Sequence, residues 1–145
     1  MKGFRPVCLL ILAGAISILA PSQTAIDAPK TDPAAHEHKA TIEGLVRDIA
    51  CPIQNLEANA THLNMKCLRA CAKTGSPLVI LTKDGELFVP ISDKMPDQDQ
   101  RQTLLPFLGK YVRAGGTVYE RKGTHAIAIH IIEEVKNVHL IFEDQ

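Results

Sequence analysis

Hydrophobic and polar positions sort the chain into three regions with different periods. Residues 7–20 form a continuous apolar run behind a positively charged start, Met1-Lys-Gly-Phe-Arg5. A run shorter than the roughly 20 residues of a spanning helix, followed by small residues, predicts a secretory signal peptide over 1–25. Cuts after Ser22 or after Ala25 both fit, and Cys8 leaves with the leader. Residues 26–40 have no apolar period and contain Pro29 and Pro33, which predicts a flexible linker. Residues 41–145 then carry the alternating and helical periods of one folded domain.

The first element of that domain is 41–49, with Ile42, Gly44 and Val46 on one face and Glu43, Leu45 and Arg47 on the other. It predicts a strand whose glycine marks a bend or the approach of another backbone, and Pro52 stops it. Asn64 before residues 65–73, with Gly75 and Pro77 after them, predicts a capped helix of about two turns. Helical spacing sets Leu63, Cys67, Ala70 and Cys71 on one side and Lys66, Arg69 and Lys73 on the other, so both cysteines are expected to face inward. Residues 78–82 and 86–91 flank Asp84-Gly85 and predict a hairpin with a type I′ turn, Pro90 marking an edge strand or a strand end.

Residues 103–109 predict a second short helix, kinked or shortened by Pro106 and stopped at Gly109. Two long strands, 111–118 and 125–135, join through Lys122-Gly123, with a bulge or sharp bend expected at Gly115-Gly116. Alternation in the second of them puts Ile127, Ile129 and Ile131 on one face and Ala126, Ala128, His130 and Ile132 on the other. Residues 138–142 are apolar enough for one more short strand. The predicted class is mainly β with two short helices: five strands with a helix between the third and fourth, the order of an OB-like small barrel. A small open α+β sheet is the alternative, and residues 51–76 form a helical insertion that carries the cysteines.

Composition narrows the function. Lys plus Arg number 16 and Asp plus Glu 16, so no basic surplus attracts nucleic acid or an anionic membrane. Four Phe, two Tyr and no Trp leave few platforms for stacked bases. Once the leader is cut, no stable membrane span is expected, and the expected location is outside the cytoplasm, in a periplasm.

The chemistry concentrates in Cys51, Cys67 and Cys71, spaced C-x15-C-x3-C. Export makes disulfides the first reading, and three is an odd number. Three chemistries stay open. Thiolates of Cys51, Cys67 and Cys71 with His62 as a fourth ligand would suit Cu(I) or Zn(II). A disulfide from Cys51 to Cys67 or Cys71 would leave one thiol spare, while a Cys67–Cys71 bond within a helix strains its dihedral. Thiol redox work would need cations beside the sulfurs, and Lys66, Arg69 and Lys73 lie on the other face. Asp48 is expected to close its strand by accepting backbone N–H groups. His36 and His38 read as linker residues that hold a metal at most loosely, and Asn59-Ala-Thr61 is a bare glycosylation tripeptide. Haem-attachment, thioredoxin-type, P-loop and hydrolase motifs are all missing, and no pair of residues suggests a general acid and base.

Gly44-Leu-Val-Arg-Asp48-Ile-Ala-Cys51, Cys67-x3-Cys71-x3-Gly75-Ser-Pro77, Asp84-Gly85 and Gly109-Lys-Tyr-Val-Arg-Ala-Gly-Gly116 together resemble a group of small exported bacterial OB-like domains. Their pattern is G-x-V-x-D-x-x-C, C-x3-C-x3-G-x-P, a DG hairpin and G-K-x-V-x-V-x-G, with Ala114 replacing the second valine. The resemblance spans about 41–135 and implies a fold and an exported location rather than an activity. His62 stands five positions before Cys67, farther than in some of those domains, so the resemblance carries no ligand role to it. A weaker similarity links the cysteines to TRASH-type metal-binding segments, which use a longer gap and aromatic residues. The expected function is an exported binding protein with a three-cysteine site for Cu(I) or Zn(II). The alternative is a disulfide-stabilised domain that binds a protein, peptide or sugar.

Overall fold

Five strands close into a barrel because one long strand serves two neighbours. The computed structural model describes residues 36–55 and 57–143, so the predicted signal peptide and residues 26–35 of the linker lie outside the described residues. Strand β1, His36–Asp48, pairs antiparallel with β5, Tyr111–Arg121, along His36 to Leu45, and with β3, Leu78–Leu81, along Leu45 to Asp48. β3 pairs antiparallel with β4, Leu87–Ile91, which runs parallel to β6, Thr124–Glu134, and β6 returns antiparallel to β5. The closed order is β1-β3-β4-β6-β5, an OB-like small barrel. A separate two-stranded parallel sheet joins β2, His62–Leu63, to β7, Ile141–Phe142. Of the predicted strand 138–142, only Ile141–Phe142 pairs, and it does so outside the barrel.

Adjacent residues of the wall face different cores. Val46, Ile80 and Val112 point into the barrel, where they meet Phe88, Ala114, Val118 and Ile127. Their neighbours Leu45, Leu81 and Tyr111 point outward into a second cluster with Ala60, Leu63 and Leu68. This end of the barrel is therefore buried on both faces, which explains the unbroken apolar run of β3. Each fully buried aliphatic side chain in these layers contributes about 1.5–3 kcal/mol. Two glycines let the wall close. A Cβ on Gly44 would lie 2.4 Å from the Leu81 carbonyl oxygen, and one on Gly116 would lie 2.0 Å from that of Ala128.

Helix α2, Met65–Lys73, has the predicted limits and the predicted cap, since the Asn64 side chain accepts the Cys67 N–H at 2.9 Å. Its inward face differs from the expectation. Leu68 and Ala72 are buried, Cys67 and Ala70 are exposed, and Cys71 is half-buried. Leu68, at i,i+4 from Ala72, sets the buried stripe, and the cysteines one position earlier stand about 100° away around the axis. Leu68 joins the outer cluster and Ala72 the inner one, so α2 lies over the barrel rim. Arg101 of α3, Arg101–Leu104, fastens its C-terminal end by donating to the carbonyls of Ser76 (2.7 Å) and Ala72.

Other expectations are corrected in detail. β1 begins at His36, so residues 36–40 are paired strand rather than linker. A third short helix, α1, Ala50–Gln54, follows β1 directly, and a 3-10 turn, Leu105–Phe107, continues α3 through Pro106. The hairpin turn is a three-residue loop, 83–85, closed by Thr82 N–H to Glu86 O (3.0 Å), with only Gly85 at positive φ. A type I′ turn needs two such residues. β4 lies inside the closed barrel, and Pro90 falls beyond the β3 pairing, where its missing N–H costs no β3–β4 bond. The bulge at Gly115/Gly116 skips His130 and inverts the facing of the next residues, leaving Ile132 packed on the core and Ile131 66% exposed. None of the helices among the described residues is long and apolar enough to cross a membrane.

Candidate functional site

The end of β1 sets the site. Asp48, 1% exposed, accepts the Cys51 N–H on Oδ2 at 3.0 Å and so starts α1 where the strand stops. Its Oδ1 is buried without a hydrogen-bond partner. This matches the expected role of Asp48 and places a buried carboxylate next to the thiols, because a negative Asp48 raises the pKa of both Cys51 and Cys71.

Helices α1 and α2 bring the three cysteines within electrostatic reach of one another, but not into a metal-holding group as placed. All three are free; Cys51 is half-buried on α1, Cys67 is exposed, and Cys71 is half-buried. Cys67 acts electrostatically on both neighbours, raising the Cys51 and the Cys71 thiol. Burial pushes the Cys51 thiol up most, and Asp48 and Cys67 add to it while Arg47 opposes them. Burial, then Asp48, then Cys67 push the Cys71 thiol up in the same direction. At neutral pH the Cys51 and Cys71 thiols keep their protons, which argues against a standing thiolate nucleophile.

His62 does not join them as a fourth ligand. It is exposed on β2, and its Nδ1 lies 3.0 Å from Asn59 Oδ1. It shares with Cys51 a cleft of about 290 Å³ that Cys67 and Cys71 do not line. Among the described residues, no three His, Cys, Asp or Glu side chains stand as placed in an arrangement that could hold a metal ion. A metal would have to draw the sulfurs inward by side-chain rotation. Four of the five remaining histidines lie in the barrel wall, on β1 and β6. His36 and His38 sit in β1 opposite Glu120 and Val118, His125 packs on Phe88, and His130 Nε2 lies 2.7 Å from Asp93 Oδ2.

The same cleft holds a residue that reads from the sequence pattern as an outward strand position. Arg47 is 3% exposed, its Nη1 donates a long 3.4 Å bond to the Asn59 carbonyl, and its Nε has no partner. A charged residue at an alternating strand position gives no sign of burial when the covering layer comes from an insertion and a tail distant in sequence. No family model, curated protein or solved structure matches the chain.

Proposed function

We propose that the protein is an exported small binding protein whose thiol site, Cys51 with Cys67 and Cys71, takes a soft cation, Cu(I) in preference to Zn(II). The observation that carries this reading is the position of Cys67, within electrostatic reach of both Cys71 and Cys51, with none of these three sulfurs in a disulfide. Sulfurs close enough to raise a neighbour's pKa repel as thiolates, and a bound cation turns that repulsion into attraction. Zn(II) favours four ligands in a closed tetrahedron, and His62 is held by Asn59 away from the set, so three sulfurs suit Cu(I) better. Asp48, whose Oδ1 has no partner, is a further oxygen donor within electrostatic reach of Cys51 and Cys71.

The nearness of Cys51 to Cys67 also favours a second reading, a Cys51–Cys67 disulfide that staples α1 to α2 in a domain binding a protein, peptide or sugar. Intact mass of the exported protein, native and denatured, with and without thiol alkylation, separates the two. The metal reading expects three alkylatable thiols in the denatured protein and a native mass increment of one copper, with the thiols protected until a chelator is added. A mass lower by two hydrogens, one alkylatable thiol and no metal overturn it in favour of the staple.

A further inference from the structure

The geometry points to the cleft beside Cys51 as a binding site for a small α-amino acid, its carboxylate on Arg47 and its ammonium toward Glu57 and Glu143. The inference does not rest on the thiol-site reading: Cys51 lines the cleft, but Cys67 and Cys71 lie outside it.

The guanidinium comes first. Arg47 is nearly fully buried, has no carboxylate within ion-pair distance among the described residues, and has one long hydrogen bond. A buried charge without an opposite partner is costly, and a fork of N–H donors is made for a carboxylate. The surrounding amides add donors. Asn55 Oδ1 accepts Glu57 N–H (3.0 Å), Asn59 Oδ1 accepts Thr61 N–H (2.9 Å), and Asn64 Oδ1 accepts Cys67 N–H (2.9 Å). With their oxygens engaged in turns, Asn55 and Asn64 offer the cleft their N–H₂ groups, and those groups want an acceptor.

Charge then sets the class of ligand. Glu57 and Glu143 also line the cleft and are exposed, so a plain anion or a dianion meets two carboxylates on its way to Arg47. A zwitterion satisfies both signs. The volume, about 290 Å³, is at the small end of the roughly 300–1,000 Å³ usual for ligand sites, which suits an amino acid rather than a long peptide.

The test is an NMR titration of the ¹⁵N-labelled full chain with glycine, with acetate, methylammonium and sulfate as separate arms. Saturable shifts of the Arg47 Nε–H and the Asn55 and Asn64 side-chain amides are expected with glycine. Acetate should bind several-fold more weakly, and methylammonium and sulfate should leave those signals in place. Arg47→Gln should weaken glycine binding by roughly tenfold to a hundredfold. If that variant does not fold, Glu57→Gln/Glu143→Gln at exposed positions decides: the preference for glycine over acetate should vanish. Cys67→Ser/Cys71→Ser should bind glycine as the parent does. The proposal is overturned by three outcomes: no saturable shift with glycine, equal shifts with sulfate, or a glycine preference that survives the double Glu→Gln change.

Discussion

The Asp48 carboxylate holds the Cys51 N–H with one oxygen at 3.0 Å and leaves the other buried and free beside the thiols. One residue thus joins strand to helix and adds negative charge beside Cys51 and Cys71. The two roles separate by substitution. Asp48→Asn keeps an oxygen for the N–H and removes the charge, so stability should change by less than about 1 kcal/mol while both thiols alkylate faster at neutral pH. Asp48→Ala removes both and should cost about 1–3 kcal/mol in urea denaturation. Equal alkylation rates in parent and Asp48→Asn would show that Asp48 has no electrostatic hold on the thiols.

Arg101 ties α3 to the end of α2 through the carbonyls of Ser76 and Ala72. Arg101→Met keeps much of the aliphatic stem and removes both donors. It should lower stability by about 1–3 kcal/mol, read by urea denaturation. Amide exchange should speed up at Thr74 and Gly75, whose N–H groups bond back into the last turn of α2. Protection unchanged at those two amides would mean that α2 is held by Leu68 and Ala72 alone.

The parts of the fold that read correctly from sequence are those fixed by neighbours in the chain. The Asn64 cap, the limits of α2, the Lys122-Gly123 turn and the Gly115-Gly116 bulge all come from local chemistry. The parts that do not read from sequence depend on contacts distant in the chain. Helical spacing puts Cys67 inside, but Leu68 wins that face because β2 and the tail supply an outer cluster for it. Strict alternation sets Ile131 on a face with Ile127 and Ile129, and one skipped residue, His130, turns it to solvent. Spacing alone singles out the cysteines, but not how far apart the fold holds them. The burial of Arg47 leaves no such mark, because the cleft around it is lined from residues 57–64 and from Glu143.

Gly116 tests how tightly the barrel is closed. Gly116→Ala sets a methyl 2.0 Å from the Ala128 carbonyl oxygen, a backbone atom of the paired strand that no rotamer change can remove. β5 and β6 must separate there, and the expected loss is about 3 kcal/mol or more by thermal or urea unfolding. Gly123→Ala, in open space but at φ +77°, should cost less, about 1–2 kcal/mol from backbone strain alone. If the two losses are equal, close approach at Gly116 is not what the glycine serves.

Alkaline pH should destabilise the reduced protein. Cys51, Cys71 and Tyr111 all have pKa values raised in the fold, with burial as the leading cause in each case. Asp48 and Cys67 add to both thiols, and Glu43 and Asp84 add to the phenol. Because the native state holds these protons more tightly, it binds more of them than the unfolded chain once pH passes the ordinary values, 9.0 for the thiols and 10.0 for the phenol. The stability they contribute is therefore full below those values and is lost as pH rises through the raised ones. Melting temperature under reducing conditions should stay level to about pH 8.5 and then fall. Cys51→Ser/Cys71→Ser should remove the early part of the fall and leave the later part, which belongs to Tyr111 and to Tyr119, whose phenol is also raised. A melting temperature that holds level through about pH 11 in the parent would show that burial at this barrel end does not favour the protonated forms.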